Sequence, residues 1–275
     1  MARGLAACTR LAAAAAAVSA VASSPLQSRV SAVSMSTAAG AAPPRITQDR
    51  ARNNLITIAP GEGMPHTATV IGPIHGLGDS NMGWADVAMQ LQSVMPYCKF
   101  ILPNAPVRPV TLNGGMSMPS WYDITSLDKR ESQPCTGIEE SRQAMLDLIS
   151  AEVASGIPPS RIAIAGFSQG GAVALFTGLQ YSHTLAGVLC LSGYLAAEER
   201  FILAPEAVNT PVAHFHGSDD QTVQIKWARG SQAHLRELGI RTYELKEYSP
   251  LGHSASQQEI ADVLAWLQAR LPEDA

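Results

Sequence analysis

A serine set between two glycines, where an apolar run gives way to helix formers, constrains this chain more than any other feature. Arg161-Ile162-Ala163-Ile164-Ala165 reads as a buried strand, Gly166-Phe167-Ser168-Gln169-Gly170 as a sharp turn, and Gly171-Ala172-Val173-Ala174-Leu175-Phe176-Thr177 as a helix. In that setting G-x-S-x-G is an elbow that raises Ser168 Oγ clear of a sheet edge. Any Cβ at the glycine positions would meet the neighbouring strand or helix as the chain reverses. The N-terminus of the helix brings backbone N–H groups and partial positive charge to the place where a reacting oxygen would become negative. A glycine-rich turn with an incidental serine accounts for the motif alone, but not for the strand and helix that flank it.

The 275 residues suffice for one large α/β domain or two small ones. A hydrophobic content of 46% excludes a chain that is disordered as a whole. A net charge of −4, with no basic stripe and only 5% aromatic residues, argues against nucleic acid as a partner. Cys8, Cys98, Cys135 and Cys190 are scattered without a C-x-x-C, so the fold does not rest on a disulfide framework. The first acidic residue is Asp49, and before it stand Arg3, Arg10, Arg29 and Arg45 among many Ser and Ala. Such a leader reads as an organellar transit peptide. Two rivals stay open: a secretory signal with Leu11 to Val21 as its apolar core and Ala20-Val21-Ala22 as its cleavage site, or a start at Met35 behind a short tail. The run is too short to span a bilayer. Residues 1–54 are therefore assigned to a leader or N-terminal extension and 55–275 to the folded domain.

From about Leu55 strands and helices alternate. Strands are expected at Thr67–Ile74, Lys99–Leu102, the elbow strand, Leu185–Leu191, Pro211–Phe215 and Thr242–Tyr248. Helices are expected at Trp84–Val94, Gly137–Val153, after the elbow, and at Val223–Leu238 and Ser256–Leu271. This alternation means an α/β fold with a mostly parallel sheet and helices on both faces.

A serine hydroxyl needs a base, and the base an orienting carboxylate, in chain order Ser, acid, His on an elbow fold. The strand ending at Phe215 runs into His216-Gly217-Ser218-Asp219-Asp220, and the strand ending at Tyr248 into Ser249-Pro250-Leu251-Gly252-His253. His253 thus sits where the base belongs. Asp219 and Asp220 both qualify as the acid, one of them being free to cap the next turn. His214 and His216 form an H-x-H on one strand face, but no third ligand stands nearby at metal-like spacing, and core histidines are the better reading. After the first strand, His75-Gly76-Leu77-Gly78-Asp79-Ser80 falls where such folds keep a second oxyanion donor, and it matches neither common phosphate-binding glycine motif.

These motifs, with Ala105-Pro106-Val107-Arg108-Pro109-Val110-Thr111, Pro119-Ser120-Trp121-Tyr122-Asp123 and His253-Ser254 before Gln257-Gln258-Glu259, occur in the order found in the acyl-protein thioesterase/lysophospholipase family of small carboxylesterases. The chain resembles that family from about Thr67 to Pro272. The resemblance implies an α/β-hydrolase that cleaves fatty acyl thioesters and esters, including S-palmitoyl cysteine on proteins, with no cofactor and no metal, and a cytoplasmic location. Carried over by position, Ser168 is the nucleophile, His253 the base and Asp220 the acid. The backbone N–H groups of Leu77 and Gln169 are the oxyanion donors, and Leu77, Trp121, Tyr194 and Thr222 border the substrate. The expected partner is an acylated protein or a lipid ester, met at a membrane surface at most transiently.

Three positions depart from the family pattern. Gly72-Pro73 interrupts the first strand, which leaves open a bulge, an error in the gene sequence or a disturbed oxyanion loop. Gln221-Thr222-Val223 stands where Pro and aliphatic residues are usual, and Tyr194 where Trp is frequent. The stretch Leu112–Met118, with two methionines and Gly114-Gly115, is either an adaptable wall for an alkyl chain or a plain surface loop. Two rivals to the thioesterase reading remain, a lysophospholipase or small-ester hydrolase and a binding protein that keeps the fold without turnover.

Overall fold

The computed structural model describes residues 42–130 and 133–273. The three readings of the leader fall almost entirely on residues 1–41, outside the described residues. An eight-stranded sheet runs in the order β1-β2-β4-β3-β7-β8-β9-β10. Its strands are β1 (Arg45–Asp49), β2 (Leu55–Ala59), β3 (Ala68–Ile74), β4 (Cys98–Leu102), β7 (Ile162–Phe167), β8 (Gly187–Leu191), β9 (Val212–Gly217) and β10 (Tyr243–Tyr248). β1 and β2 pair antiparallel, as do β2 and β4, and the six strands from β4 to β10 are parallel. The strands β3, β7, β8 and β9 are buried at every residue, which is why they read as continuous apolar runs rather than alternating ones.

Helices cover both faces. On one lie α1 (Met82–Val94) and α5 (Gln257–Arg270), which pack Trp84, Leu91, Trp266 and Leu267 against the sheet. On the other lie α2 (Ile138–Ala154), α3 (Gln169–Gly178) and α4 (Ile225–Glu237), with Met145, Ile149, Phe176 and Leu235 in the second core. α3 is buried at all ten residues, as a helix without a polar face must be.

Four strands stand where none was expected, β1, β2, β5 (Val107–Val110) and β6 (Met116–Pro119). β1 lies upstream of Leu55, so the sheet reaches back to Arg45, ahead of the expected domain start. All five β1 residues are exposed, so an edge strand with Arg45 and Asp49 at its ends carries no apolar face to read. A separate hairpin pairs β5 with β6, so the stretch Leu112–Met118 is a tight turn and a strand rather than an open loop.

At Gly72-Pro73 the register of β3 against β7 shifts by one residue, from Ile71 opposite Ile164 to Ile74 opposite Gly166. Of the three readings of this dipeptide, the structure holds the bulge. Gly72 has φ +125°, and a Cβ there would stand 2.1 Å from Ala165 O. Pro73 sits inside the bulge, where no ladder donor is needed. β3 therefore still delivers His75-Gly76-Leu77 to the same end of the sheet as the elbow.

Candidate active site

The carboxyl ends of β3, β7, β9 and β10 converge on one cavity, the usual place for ligands in an open parallel sheet. At the end of β7, Ser168 has φ 54° and ψ −119°, a strained conformation for a residue with a side chain. Its N–H donates to Leu191 O at 2.8 Å, which pins the turn to β8. The glycines leave no room for more: a Cβ on Gly166 would lie 2.2 Å from Gly170 O, and one on Gly170 2.0 Å from Ile74 O.

β9 and β10 bring the acid and the histidine loops together. Ser218 N–H donates to Tyr248 O and Asp219 N–H to Leu251 O, at 2.8 and 2.9 Å. His253 Nε2 lies 2.9 Å from Ser168 Oγ, and its Nδ1 lies 2.6 Å from Asp220 Oδ2. Because a carboxylate only accepts, Nδ1 carries the proton and Nε2 accepts from the serine hydroxyl. The ring of Phe167 packs against the imidazole, centroid to centroid 4.9 Å.

The structure separates the two aspartates. Asp219 is exposed and accepts from Ser218 Oγ, whereas Asp220 is buried and faces His253. Asp220 Oδ1 accepts the N–H groups of Thr222 and Val223, each at 2.8 Å. Burial pushes its carboxyl up, but hydrogen bonds from His216 and His253 outweigh that and hold it well below the ordinary carboxylate range.

A buried chain of three side chains backs the acid. His216 Nε2 lies 2.6 Å from Val223 O and 3.5 Å from Asp220 Oδ2. Since Val223 O accepts, Nε2 is protonated and Nδ1 faces His214 Nε2 at 3.4 Å. His214 Nδ1 is then left to accept from Tyr243 Oη, 2.6 Å away. Burial, with His216 beside it, keeps His214 well below the usual histidine range and so neutral. The H-x-H nitrogens are thus engaged in hydrogen bonds within the core.

On the opposite side, Leu77 and Gln169 line the cavity, and among the described residues neither backbone N–H has a hydrogen-bond partner. Their peptides are braced from behind. Gln169 Oε1 accepts Trp121 N–H at 2.9 Å, and Nε2 donates to Tyr122 O at 2.7 Å. Trp121 Nε1 donates to His75 O, and His75 Nε2 accepts Ala105 N–H, so its Nδ1–H donates to Gly76 O. Leu77 and Thr222 border the cavity, as do Leu112, Ile124 and Arg130. Trp121 and Tyr194, expected beside the substrate as well, are 1% and 2% exposed and do not line this cavity; the Trp121 N–H donates to Gln169 and the Tyr194 hydroxyl pairs with that of Tyr122. Of the stretch Leu112–Met118, only Leu112 reaches the cavity. The sequence shows no sign of the roles of the Gln169 side chain and Arg130, and it places His216 in the core without showing that it faces Asp220. The pairing of His216 with Gly217 ahead of the acid was the one available sign.

Residues 54–271 match the family described as Phospholipase/Carboxylesterase. Similar proteins include acyl-protein thioesterase 1 of Cryptococcus neoformans, 39% identical over 236 residues, covering 78% of this chain and 97% of that protein. The Neurospora crassa acyl-protein thioesterase 1 is 42% identical over 221 residues, covering 76% and 89%. Among solved structures, Arabidopsis thaliana SOBER1 has a TM-score of 0.68 at 33% identity, over 74% of this chain and 99% of its own. Zea mays acyl-protein thioesterase 2 has a TM-score of 0.66 at 29% identity, over 79% and 98%. With an elbow serine, a histidine and a buried aspartate in hydrogen-bonded sequence at the end of its sheet, this chain belongs to the Phospholipase/Carboxylesterase family of α/β-hydrolases.

Proposed function

We propose that this chain is a serine hydrolase of acyl thioesters and esters, with acylated proteins as its main substrates. The carrying observation is the unbroken hydrogen-bond chain from Ser168 Oγ through His253 to Asp220, opening on a cavity with two unengaged backbone donors. The relatives named acyl-protein thioesterase support the substrate class.

In this reading Ser168 Oγ attacks the acyl carbonyl carbon while its proton passes to His253 Nε2. Asp220 keeps the imidazole in the right tautomer and offsets its positive charge. Leu77 and Gln169 N–H groups hold the oxyanion, braced by Trp121 and His75 so that little reorganisation is needed. The C–S or C–O bond breaks, and the leaving sulfur or oxygen takes the proton from Nε2. Water then gives a proton to His253 Nε2 and attacks the acyl-serine; the acyl C–O bond breaks, Ser168 Oγ takes the proton back from Nε2, and the carboxylic acid leaves.

The cavity measures about 50 Å³, room for a few water molecules. It is too small for a palmitoyl chain, which extends out along the surface. Val107 and Met116, 69% and 65% exposed on the hairpin next to Leu112, give that chain, or a membrane that holds it, an apolar place to rest.

A fluorophosphonate probe tests the assignment. Labelling should fall on Ser168 alone and vanish in Ser168→Ala, with kcat for an octanoyl thioester down by about 10^6-fold. Labelling that survives the substitution would refute it.

A further inference from the structure

Arg130 is the residue in this site that an alkyl-binding cavity does not explain. It lines the cavity that holds Ser168 and His253, yet it is only 2% exposed. Nη2 donates to Thr222 O at 3.0 Å, and the guanidinium lies over the Tyr194 ring with Cζ 4.6 Å from the centroid. Nε is buried and, among the described residues, has no hydrogen-bond partner. No carboxylate among the described residues forms an ion pair with it. Asp79, the other charged residue of the lining apart from the triad histidine, turns its carboxylate to the start of α1, where a Cβ on Gly83 would meet Oδ2 at 2.6 Å.

A buried guanidinium with no carboxylate beside it among the described residues is costly to keep. The remaining wall, from Leu77 through Leu112, Ile124 and Leu127, offers it nothing polar. An alkyl chain filling this space would strip away the remaining water and leave the charge unpaired. A carboxylate or phosphate would supply the missing partner through paired N–H···O bonds.

We propose that Arg130 makes this cavity select substrates that carry an anionic group, a carboxylate or a phosphate, a few carbons from the scissile carbonyl. The inference rests on the hydrolase reading and narrows its substrate class. Arg130 acts in it as a specificity residue that touches the substrate, while the bond-breaking steps stay with Ser168, His253 and Asp220. The small cavity sets the reach: an anion at the end of a short acyl chain, or on the near part of the leaving group, arrives at the guanidinium.

The test uses the full chain and two matched substrate pairs. One compares the mono-adipoyl with the hexanoyl ester of a fluorogenic phenol, placing the anion on the acyl side. The other compares hexanoyl esters of a phenol with and without a sulfonate, placing it on the leaving group. In at least one pair wild type should favour the anionic member in kcat/KM, and Arg130→Gln should cut that ratio by about 10- to 100-fold, as expected for a hydrogen-bonded charge partner. Loss of mere structure would lower both members together and leave the ratio alone, and Arg130→Met, which refills the space with apolar atoms, gives the same reading if the Gln variant does not fold. Ratios within twofold of wild type in both pairs would overturn the inference alone, provided hexanoyl turnover is present and lost in Ser168→Ala. Absence of turnover on all four esters would overturn the hydrolase reading and this one with it.

Discussion

The ledge that carries Ser168, Asp220 and His253 and the wall that faces it, from Leu112 to Arg130, are built from different kinds of chain. Each residue of the ledge stands at the end of a parallel strand that is hydrogen-bonded on both sides or tied to a neighbouring loop. The wall comes from a two-stranded hairpin outside the main sheet and from the segment between Pro119 and α2, which among the described residues contains no regular element. A ledge of this kind fixes distances to a fraction of an ångström, as positioning for nucleophilic attack requires. The wall is free to differ without disturbing that geometry. Chemistry and selectivity are thus assigned to separate parts of the fold, and substitutions on either side should behave accordingly.

The largest expected effect lies on the ledge. Asp220→Asn should lower kcat by about 10^4-fold, because an amide no longer holds the imidazole in the tautomer that faces Ser168. Asp219→Asn, one residue away but exposed, should change it less than about threefold, as surface substitutions do. Comparable losses in both variants would mean that the loop as a whole, rather than the buried carboxylate, sets the rate.

Burial on the ledge also has a signature in pH. Glu259 closes a capping box with Ser256 at the start of α5, six residues after His253, and is fully buried. Burial pushes its carboxyl up from the ordinary 4.5 to about 7. The unfolded chain releases this proton near 4.5 and the folded chain near 7, so the native state binds more proton between those values. Stability must then fall as pH rises through that window and level off above it, by about 3 kcal/mol in all. Glu259→Gln keeps an acceptor for the Ser256 N–H but cannot ionise. Urea unfolding at pH 5 and pH 8 should show the wild-type loss and a nearly flat variant. Equal slopes would place the titration elsewhere.

The same division explains what the sequence disclosed. β3, β7, β8 and β9 are buried on both faces, so each spells a run that is mostly apolar, and Ser168 and the Asp219-Asp220 pair follow such runs closely, whereas His253 follows β10, an edge strand legible from its alternation instead. The choice of Asp220 came from family resemblance, and its physical ground, burial beside His216, appears only in three dimensions. β5 and β6 hide themselves with Pro109, Pro119 and Gly114-Gly115, residues that ordinarily punctuate loops. Arg130 stands in Lys129-Arg130-Glu131, a charged triplet that reads as solvated surface until the chain folds it over Tyr194. Trp121 and Tyr194 are placed beside the substrate by family resemblance alone, and their packing is visible only in the fold, where their polar atoms meet Gln169, His75 and Tyr122.

A smaller effect probes how far the ledge's rigidity matters to rate. Tyr243→Phe removes the donor to His214 Nδ1 at the far end of the chain that backs Asp220. Leaving that nitrogen buried and unpaired should cost about 1–3 kcal/mol of stability. The effect on kcat should stay under about tenfold, since two histidines and their hydrogen bonds intervene before His253. A rate loss that approaches that of Asp220→Asn would make the buried histidines part of the catalytic unit.

The wall yields the smallest change and the sharpest contrast. Leu112 is the one residue of Leu112–Met118 that borders the cavity, and Met116 four residues on is 65% exposed. Leu112→Ala opens space beside Ser168 without touching a triad residue, so the butyryl rate should hold while longer acyl groups gain. The octanoyl-to-butyryl ratio of kcat/KM should rise by up to about 10-fold, the low end of what a methylene or two is worth in an apolar pocket. Met116→Ala should leave the ratio where it was if the enclosed part of the cavity reads chain length. If Met116→Ala moved it as much as Leu112→Ala, the open face of the hairpin would be the surface that grips the chain. The wall would then extend well beyond the cavity, while the ledge beneath it kept the same geometry in both variants.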